Sequence, residues 1–273
     1  MRVTLPLMAV LACAGAARTQ TAAPPASADA SLPAICTDRP TKSDNACAVD
    51  PGYWQVEADL FNGTFQHLNG VTTDTWLVTN PTLKYGVAKG IDVELNIVPY
   101  EVVRTRSAGG TTTLDGIGDL YVRLKDQVFS SQDGNVQVSL VPYVKAPTAR
   151  DGIGNGAVEG GVNAPINIKL DDKWAVTFSP EADAFKDAVG SGRHFNTSQT
   201  VNIGYSLPAD ITLYGELWGD WNFDPAGTVK QYSLDFAVTK LVNKSFQIDG
   251  GLNLGLNHTT PGVQVYAGVS KKW

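Results

Sequence analysis

The 273-residue sequence has no uninterrupted apolar run near the ~18 residues of a membrane-spanning helix, because Gly, Asn, Asp and Lys break every candidate. Any crossing of a bilayer would therefore be made by strands. Basic residues are in deficit, 21 Lys and Arg against 27 Asp and Glu for a formal charge of -6, so there is no positive field to hold a nucleic acid. Cysteine and histidine number only three each. Zinc would need further Cys or His beside the Cys36/Cys47 pair, and the nearest histidine is His67, so no metal is expected. His67, His194 and His258 each fall alone in an expected external loop and read as solvated side chains. His194 and Ser198 share one strand or its loop, whereas an acyl hydrolase in the barrel wall would need its Ser and His on adjacent strands. Gly152-Ile153-Gly154-Asn155-Gly156 lacks the Lys-Ser/Thr of a phosphate loop and opens no helix. No catalytic set and no cofactor is expected. An apolar content of 43% with 18% charge excludes a disordered chain.

What is present begins with an export-like leader. Residues 1–17 carry Arg2, the apolar core LPLMAVLA and a run of small residues, the pattern of a signal peptide. Val10-Leu11-Ala12-Cys13 also loosely matches a lipoprotein acylation box. Residues 18–50 read as a flexible N-terminal segment, poor in large apolar residues as far as Leu32. Cys36 and Cys47 remain as an even pair after cleavage, and in an oxidising compartment a disulfide between them is expected. Thr37-Asp38-Arg39-Pro40 inside that loop either reaches into a barrel from the periplasmic side or forms an exposed clip.

From residue 51 to 273 the dominant signal is a period of two, which means pleated strands with chemically different faces. In the central hairpin, Asp115 to Lys145, Leu120, Val122 and Leu124 alternate with Asp119, Tyr121, Arg123 and Lys125. Val136, Val138, Leu140 and Val144 continue the apolar face after the turn. The strands run to about ten residues, the length a tilted strand needs to cross a bilayer. The same parity recurs along about twelve strands, predicting an all-β, transmembrane, antiparallel up-and-down β-barrel with outer-membrane lipid on its apolar face. Trp54, Tyr85, Trp174, Tyr205, Phe246 and Trp273 share the apolar parity at one strand end, as an interfacial girdle would, and Trp221 and Tyr232 belong to the other end. Short turns such as Lys89-Gly90 and Pro208–Asp210 alternate with longer links expected near 66–72, 105–114, 147–156, 187–194, 223–228 and 258–261.

Charge sits on the opposite parity. Glu57, Asp59, Glu94, Asp119, Arg123, Lys125, Lys145, Glu159, Glu181, Asp183, Glu216, Asp235 and Asp249 are the candidate pore-lining residues, with acids outnumbering bases. Asp119, Arg123, Lys145, Glu94 and Glu159 form a belt of mixed charge that would filter ions if the lumen conducts. The alternative is an interior that neutralises itself with salt bridges. A twelve-strand barrel lies between about eight strands, which side chains fill, and about sixteen, which leave a channel.

Cys36-Thr37-Asp38-Arg39-Pro40-Thr41, Gln55-Val56-Glu57-Ala58-Asp59-Leu60, Gly118-Asp119-Leu120, Lys145-Ala146-Pro147-Thr148 and Gly154-Asn155-Gly156 resemble a family of small outer-membrane barrels named after the meta-cleavage pathway of phenol degradation. The resemblance covers about residues 34–273 and implies an outer-membrane channel or uptake protein for small solutes, organic and aromatic compounds included. It carries no catalytic residues to transfer. The expected location is the outer membrane of a Gram-negative bacterium. A non-conducting structural or binding barrel is the alternative function, followed by a soluble exported β-protein or a barrel enzyme.

Overall fold

The computed structural model describes residues 32–273; the expected signal peptide, the acylation-box match and the first part of the flexible lead lie outside them. The described chain is all-β, with sixteen strand segments in one antiparallel sheet whose last strand pairs with its first. The segments are β1 (Trp54–Leu68), β2 (Val71–Val78), β3 (Thr82–Ala88), β4 (Ile91–Ile97), β5 (Tyr100–Ser107), β6 (Gly110–Gly116), β7 (Leu120–Ser130) and β8 (Val136–Ala146). They continue as β9 (Glu159–Asn163), β10 (Ile166–Lys169), β11 (Trp174–Lys186), β12 (Arg193–Leu207), β13 (Ile211–Asn222), β14 (Val229–Asn243), β15 (Phe246–Gly255) and β16 (Val263–Lys272). β2 with β3, β4 with β5, β6 with β7 and β9 with β10 are each one interrupted crossing, so the barrel has twelve crossings. Three of the interruptions contain Pro81, Pro99 and Pro165, which cannot donate to a ladder. Closure runs from Gln55 opposite Lys272 to Phe65 opposite Val263, with one irregularity between Asp59 and Phe61.

The barrel is inverted relative to a soluble fold. Leu95 is 42% exposed on the outside while its neighbour Glu94 is 1% exposed inside, and Leu140 is 43% exposed beside a fully buried Ser139. Buried polar residues far outnumber the five buried apolar ones, Ala46, Val49, Val141, Ala237 and Tyr266. Such a surface is stable only with hydrocarbon around it, and closure by β16 on β1 satisfies the ladder groups of the wall, while β6 pairs with β5 alone. The girdle forms as pairs, Trp54 on Tyr85 and Trp174 on Tyr205 with ring centroids 4.5 Å apart, and Trp221 meets Tyr232 edge-on at the other end.

Two of the expected longer links are in fact tight. β1 and β2 are joined by Asn69-Gly70 alone, with φ of 52° and 78°, the left-handed pair that a two-residue hairpin turn requires. β5 and β6 are joined by Ala108-Gly109, so the strands themselves supply the residues read as links near 66–72 and 105–114. Asn-Gly was the sequence signal for this; the polar composition of TFQHLNGVTTDT masked a strand pair that rises beyond the apolar band.

Candidate functional site

The lumen is occupied by the chain's own N-terminal segment. Residues 32–50 carry no regular secondary structure and are held by the barrel's inward charges. The segment starts at the short-turn end, where Ile35 N donates to Lys244 O at 2.7 Å and Lys272 Nζ donates to Ala34 O at 2.8 Å. Cys36 and Cys47 are joined, with Cα atoms 6.2 Å apart, and the loop they close carries four charged residues into the barrel.

Each of those charges meets a partner on the wall. The Arg39 guanidinium forks between Asp59, at 2.5 Å, and Asp249, at 2.7 and 3.2 Å. Gly268 makes room for it, since a Cβ there would overlap the guanidinium. Asp38 receives Lys125 Nζ at 2.6 and 2.8 Å and also Lys84, which in turn bridges Glu57 at 2.7 Å. Burial pushes the Asp38 carboxyl up, but the Lys125 and Lys84 ammonium groups outweigh it and hold the group well below the usual carboxylate range. Its contribution to stability is thus present above the ordinary aspartate value and fades only as the pH falls below it. Lys42 reaches Asp235 at 2.5 Å and Ser233 at 2.7 Å, with its ammonium 4.8 Å from the centre of the Trp218 ring.

Backbone donors of the segment are capped as well. Glu57 accepts from Asp38 N and Arg39 N at 3.0 and 2.9 Å, and Glu216 accepts from Lys42 N, Ser43 N and Ser43 Oγ at 2.9, 3.1 and 2.7 Å. Ser139 Oγ donates to Ala46 O at 2.5 Å, and Asp92 accepts from Val49 N at 2.7 Å. A coil with no ladder of its own is tolerated in the lumen because the wall satisfies its polar groups.

The thirteen charges expected on the inward face divide into three groups. Glu57, Asp59, Glu94, Lys125, Glu216, Asp235 and Asp249 meet the segment or the side chains that hold it. Asp119, Lys145 and Glu159 form a separate cluster under loop 147–158: Lys145 lies 2.7 Å from Glu159 and 3.3 Å from Asp119, and donates to Asn155 at 2.7 Å. Arg123, Glu181 and Asp183 border open space, Arg123 lying 3.8 Å from Asp44. The five residues of the expected belt therefore do not act as one ring. Arg123 faces a cavity, whereas Lys145 is locked between two carboxylates.

Two polar cavities of about 190 and 220 Å³ flank the segment, one bordered by Arg39, Asp44, Arg123 and Asn96, the other by Lys42, Glu181, Asp183 and Trp218. The second shares Phe185, Asn196, Trp218 and Asp220 with a larger recess of about 780 Å³ at the long-loop end. Burial, with Asp38 nearby, pushes the Asp44 carboxyl at the first cavity up to about 6. Asp38 and Arg39 lie inside the barrel, the first of the two outcomes read for Thr37-Asp38-Arg39-Pro40, while Lys42, Ser43 and Asp44 of the same loop and Lys84 and Asp92 of the wall are lumen groups beyond the candidate lining residues. The signal for the loop residues was the density of charge between the two cysteines, and for Lys84 and Asp92 it was their parity opposite the aliphatic side chains.

His194 is not alone, contrary to the reading of a solvated loop residue. It is buried, its Nδ1 3.0 Å from Asp187 and 3.5 Å from Asp224. Loops 187–192 and 223–228 are drawn together where Ala188 N donates to the Asp224 carboxylate at 2.7 Å, and this carries the histidine out of solvent. His67 does stay exposed, bonded to Thr72.

The family described as "Putative MetA-pathway of phenol degradation" matches residues 37–273, which is most of the lumen segment and the whole barrel. The chain belongs to this family. Its fold is similar to that of an outer-membrane channel from Pseudomonas putida F1, at 16% identity and a TM-score of 0.66, over 86% of this chain and 100% of that one. The NanC porin is similar at 10% identity and a TM-score of 0.51, over 80% of this chain and 100% of that one. The transport unit of the autotransporter AIDA-I from Escherichia coli is similar at 12% identity and a TM-score of 0.51, over 87% and 92% respectively. No curated protein matches the sequence. An apolar exterior, an ionised interior and this fold make the family member a barrel of the Gram-negative outer membrane.

The disulfide has a measurable share in this arrangement. Replacing Cys36 and Cys47 together with serine is expected to cost about 2–3 kcal/mol in the loop-entropy treatment. Urea midpoints of the refolded barrel, with and without reductant, check it: the wild type should lose stability on reduction and the double variant should not respond.

Proposed function

We propose that the protein is an outer-membrane channel for small solutes, without enzymatic activity, and that residues 32–50 are its periplasmic gate. The observation that carries this reading is the pair of cavities that share Phe185, Asn196, Trp218 and Asp220 and lead from the long-loop recess toward the lumen, the inner one bordered by Lys42 of the segment. A barrel evolved only as a filled scaffold has no need of a recess continuous with its interior. Phe185 and Trp218 in the shared wall, together with the family's description, support small aromatic compounds as the solutes. The pore-lining role then belongs to Arg123, Glu181 and Asp183, while the other inward charges hold the gate or the loop above it.

The ion-paired interior favours a second reading, a barrel that never conducts. Planar-bilayer recording separates the two. The wild type should show small unitary currents and a variant lacking residues 32–50 larger ones; a wild type that inserts correctly but never conducts would favour the filled barrel. Arg123→Glu should move the reversal potential toward cations, since Arg123 is a basic group facing a cavity. Lys145→Glu should instead lower stability, because it would place a third acid between Asp119 and Glu159.

A further inference from the structure

We propose that Asp187, His194 and Asp224 bind a first-row divalent metal ion at the mouth of the barrel. One ligand atom from each of the three lies within 4.8 Å of the others. The measured separations from His194 Nδ1, 3.0 Å to Asp187 Oδ1 and 3.5 Å to Asp224 Oδ2, have a specific meaning. An ion bound to nitrogen and oxygen at about 2.0–2.2 Å holds its donors roughly 3–3.5 Å apart, so both separations from the imidazole nitrogen already match edges of a coordination polyhedron, and the two carboxylate oxygens lie within 4.8 Å of each other.

Charge and chemistry point the same way. Two carboxylates converge here, and among the described residues neither has a lysine or arginine partner; only the imidazole stands between them. Carboxylates alone would suit calcium or magnesium, whereas an imidazole nitrogen shifts preference toward zinc and its first-row neighbours. Three protein ligands leave a fourth position for water or an exogenous group.

The donors are also positioned before any ion arrives. Asp224 accepts from Ala188 N and Ala226 N, each at 2.7 Å, and Asp187 N donates to Gly192 O at 3.0 Å. Gly192 matters for space, because a Cβ at that position would run into the Asp187 carboxylate. The site joins loop 187–192, before β12, to loop 223–228, before β14, and Ala188 and Asp224 both border the 780 Å³ recess. An ion bound there would fix the two loops that frame the way in. The proposal stands on these residues alone and does not depend on whether the lumen conducts.

Zinc titrated calorimetrically into the folded, full-length barrel in detergent at neutral pH tests it, with calcium as the second probe. The wild type should show one saturable zinc site per chain and weaker calcium binding. Loss of even an outer-shell partner costs about 10- to 100-fold in metal affinity, so Asp187→Asn and His194→Ala should each weaken zinc by at least that much. His67→Ala and His258→Ala should leave it unchanged. Circular dichroism and heat-modifiable gel mobility establish that each variant is folded, and the near-isosteric Asp187→Asn keeps the test decisive if His194→Ala does not fold. Absence of a saturable zinc site in the wild type, or zinc binding undiminished in folded Asp187→Asn, would overturn the assignment.

Discussion

Replacing Arg39 with alanine is expected to destabilise the barrel by about 3–5 kcal/mol, the usual consequence of removing one partner from a buried ion pair. Asp59 and Asp249 are both nearly inaccessible and share this one guanidinium, so two carboxylates lose their partner at once. Arg39→Lys should recover only part of the loss, because a point charge cannot fork between two acids as a planar guanidinium does. Urea unfolding from detergent micelles gives the free energy. The same variant should expose the Cys36–Cys47 bond to a bulky reductant that leaves the wild type untouched. Wild-type stability together with a protected disulfide would mean that the segment is held by its other contacts.

The second large effect lies on the lipid face. Leu140→Arg or Leu95→Arg should cost about 2–4 kcal/mol, the depth-dependent penalty for a charge near the middle of the hydrocarbon. Parity by itself would make Ser139→Arg and Glu94→Arg the milder companions. The structure reverses that expectation. Ser139 is fully buried against Ala46 O, and Glu94 lies 3.4 Å from both Lys84 and Lys125, so an arginine at either position meets packed chain or two existing cations. All four variants should unfold early from lipid vesicles. A Ser139→Arg barrel as stable as the wild type would show that residues 32–50 do not fill the lumen.

That reversal marks where the sequence could be read and where it could not. Alternation is local: Leu95 beside Glu94, or Val122 beside Arg123, assigns faces without knowledge of any neighbour, and so the barrel, its lipid surface and its aromatic girdle were legible. Partners are not local. Arg39 and Asp249 are 210 residues apart, and no spacing rule connects them. The cysteine loop could be seen to be charged, but whether those charges met solvent or the lumen depended on the radius of a closed sheet. The two-residue turn at Asn69-Gly70 is a different case. Its signal was strong and local, and it was outweighed by the polarity of the strands on either side. The convergence of Asp187 and Asp224 on His194 depended on two loops crossing the mouth, which periodicity does not describe.

The contacts of the lumen segment also set an order of events during biogenesis. Residues 32–50 leave the ribosome before any strand, yet Lys42 needs Asp235 on β14 and Arg39 needs Asp249 on β15. Asp59 on β1 follows Arg39 closely, but Lys42 and the second arm of the Arg39 fork lack their wall partners for most of synthesis and transit. The segment can seat only when the C-terminal strands have arrived, at about the moment β16 zips against β1. Assembly machinery that seals the barrel must therefore keep an ion-rich stretch of chain inside the closing cylinder, which makes the first of the described residues among the last to reach their native place.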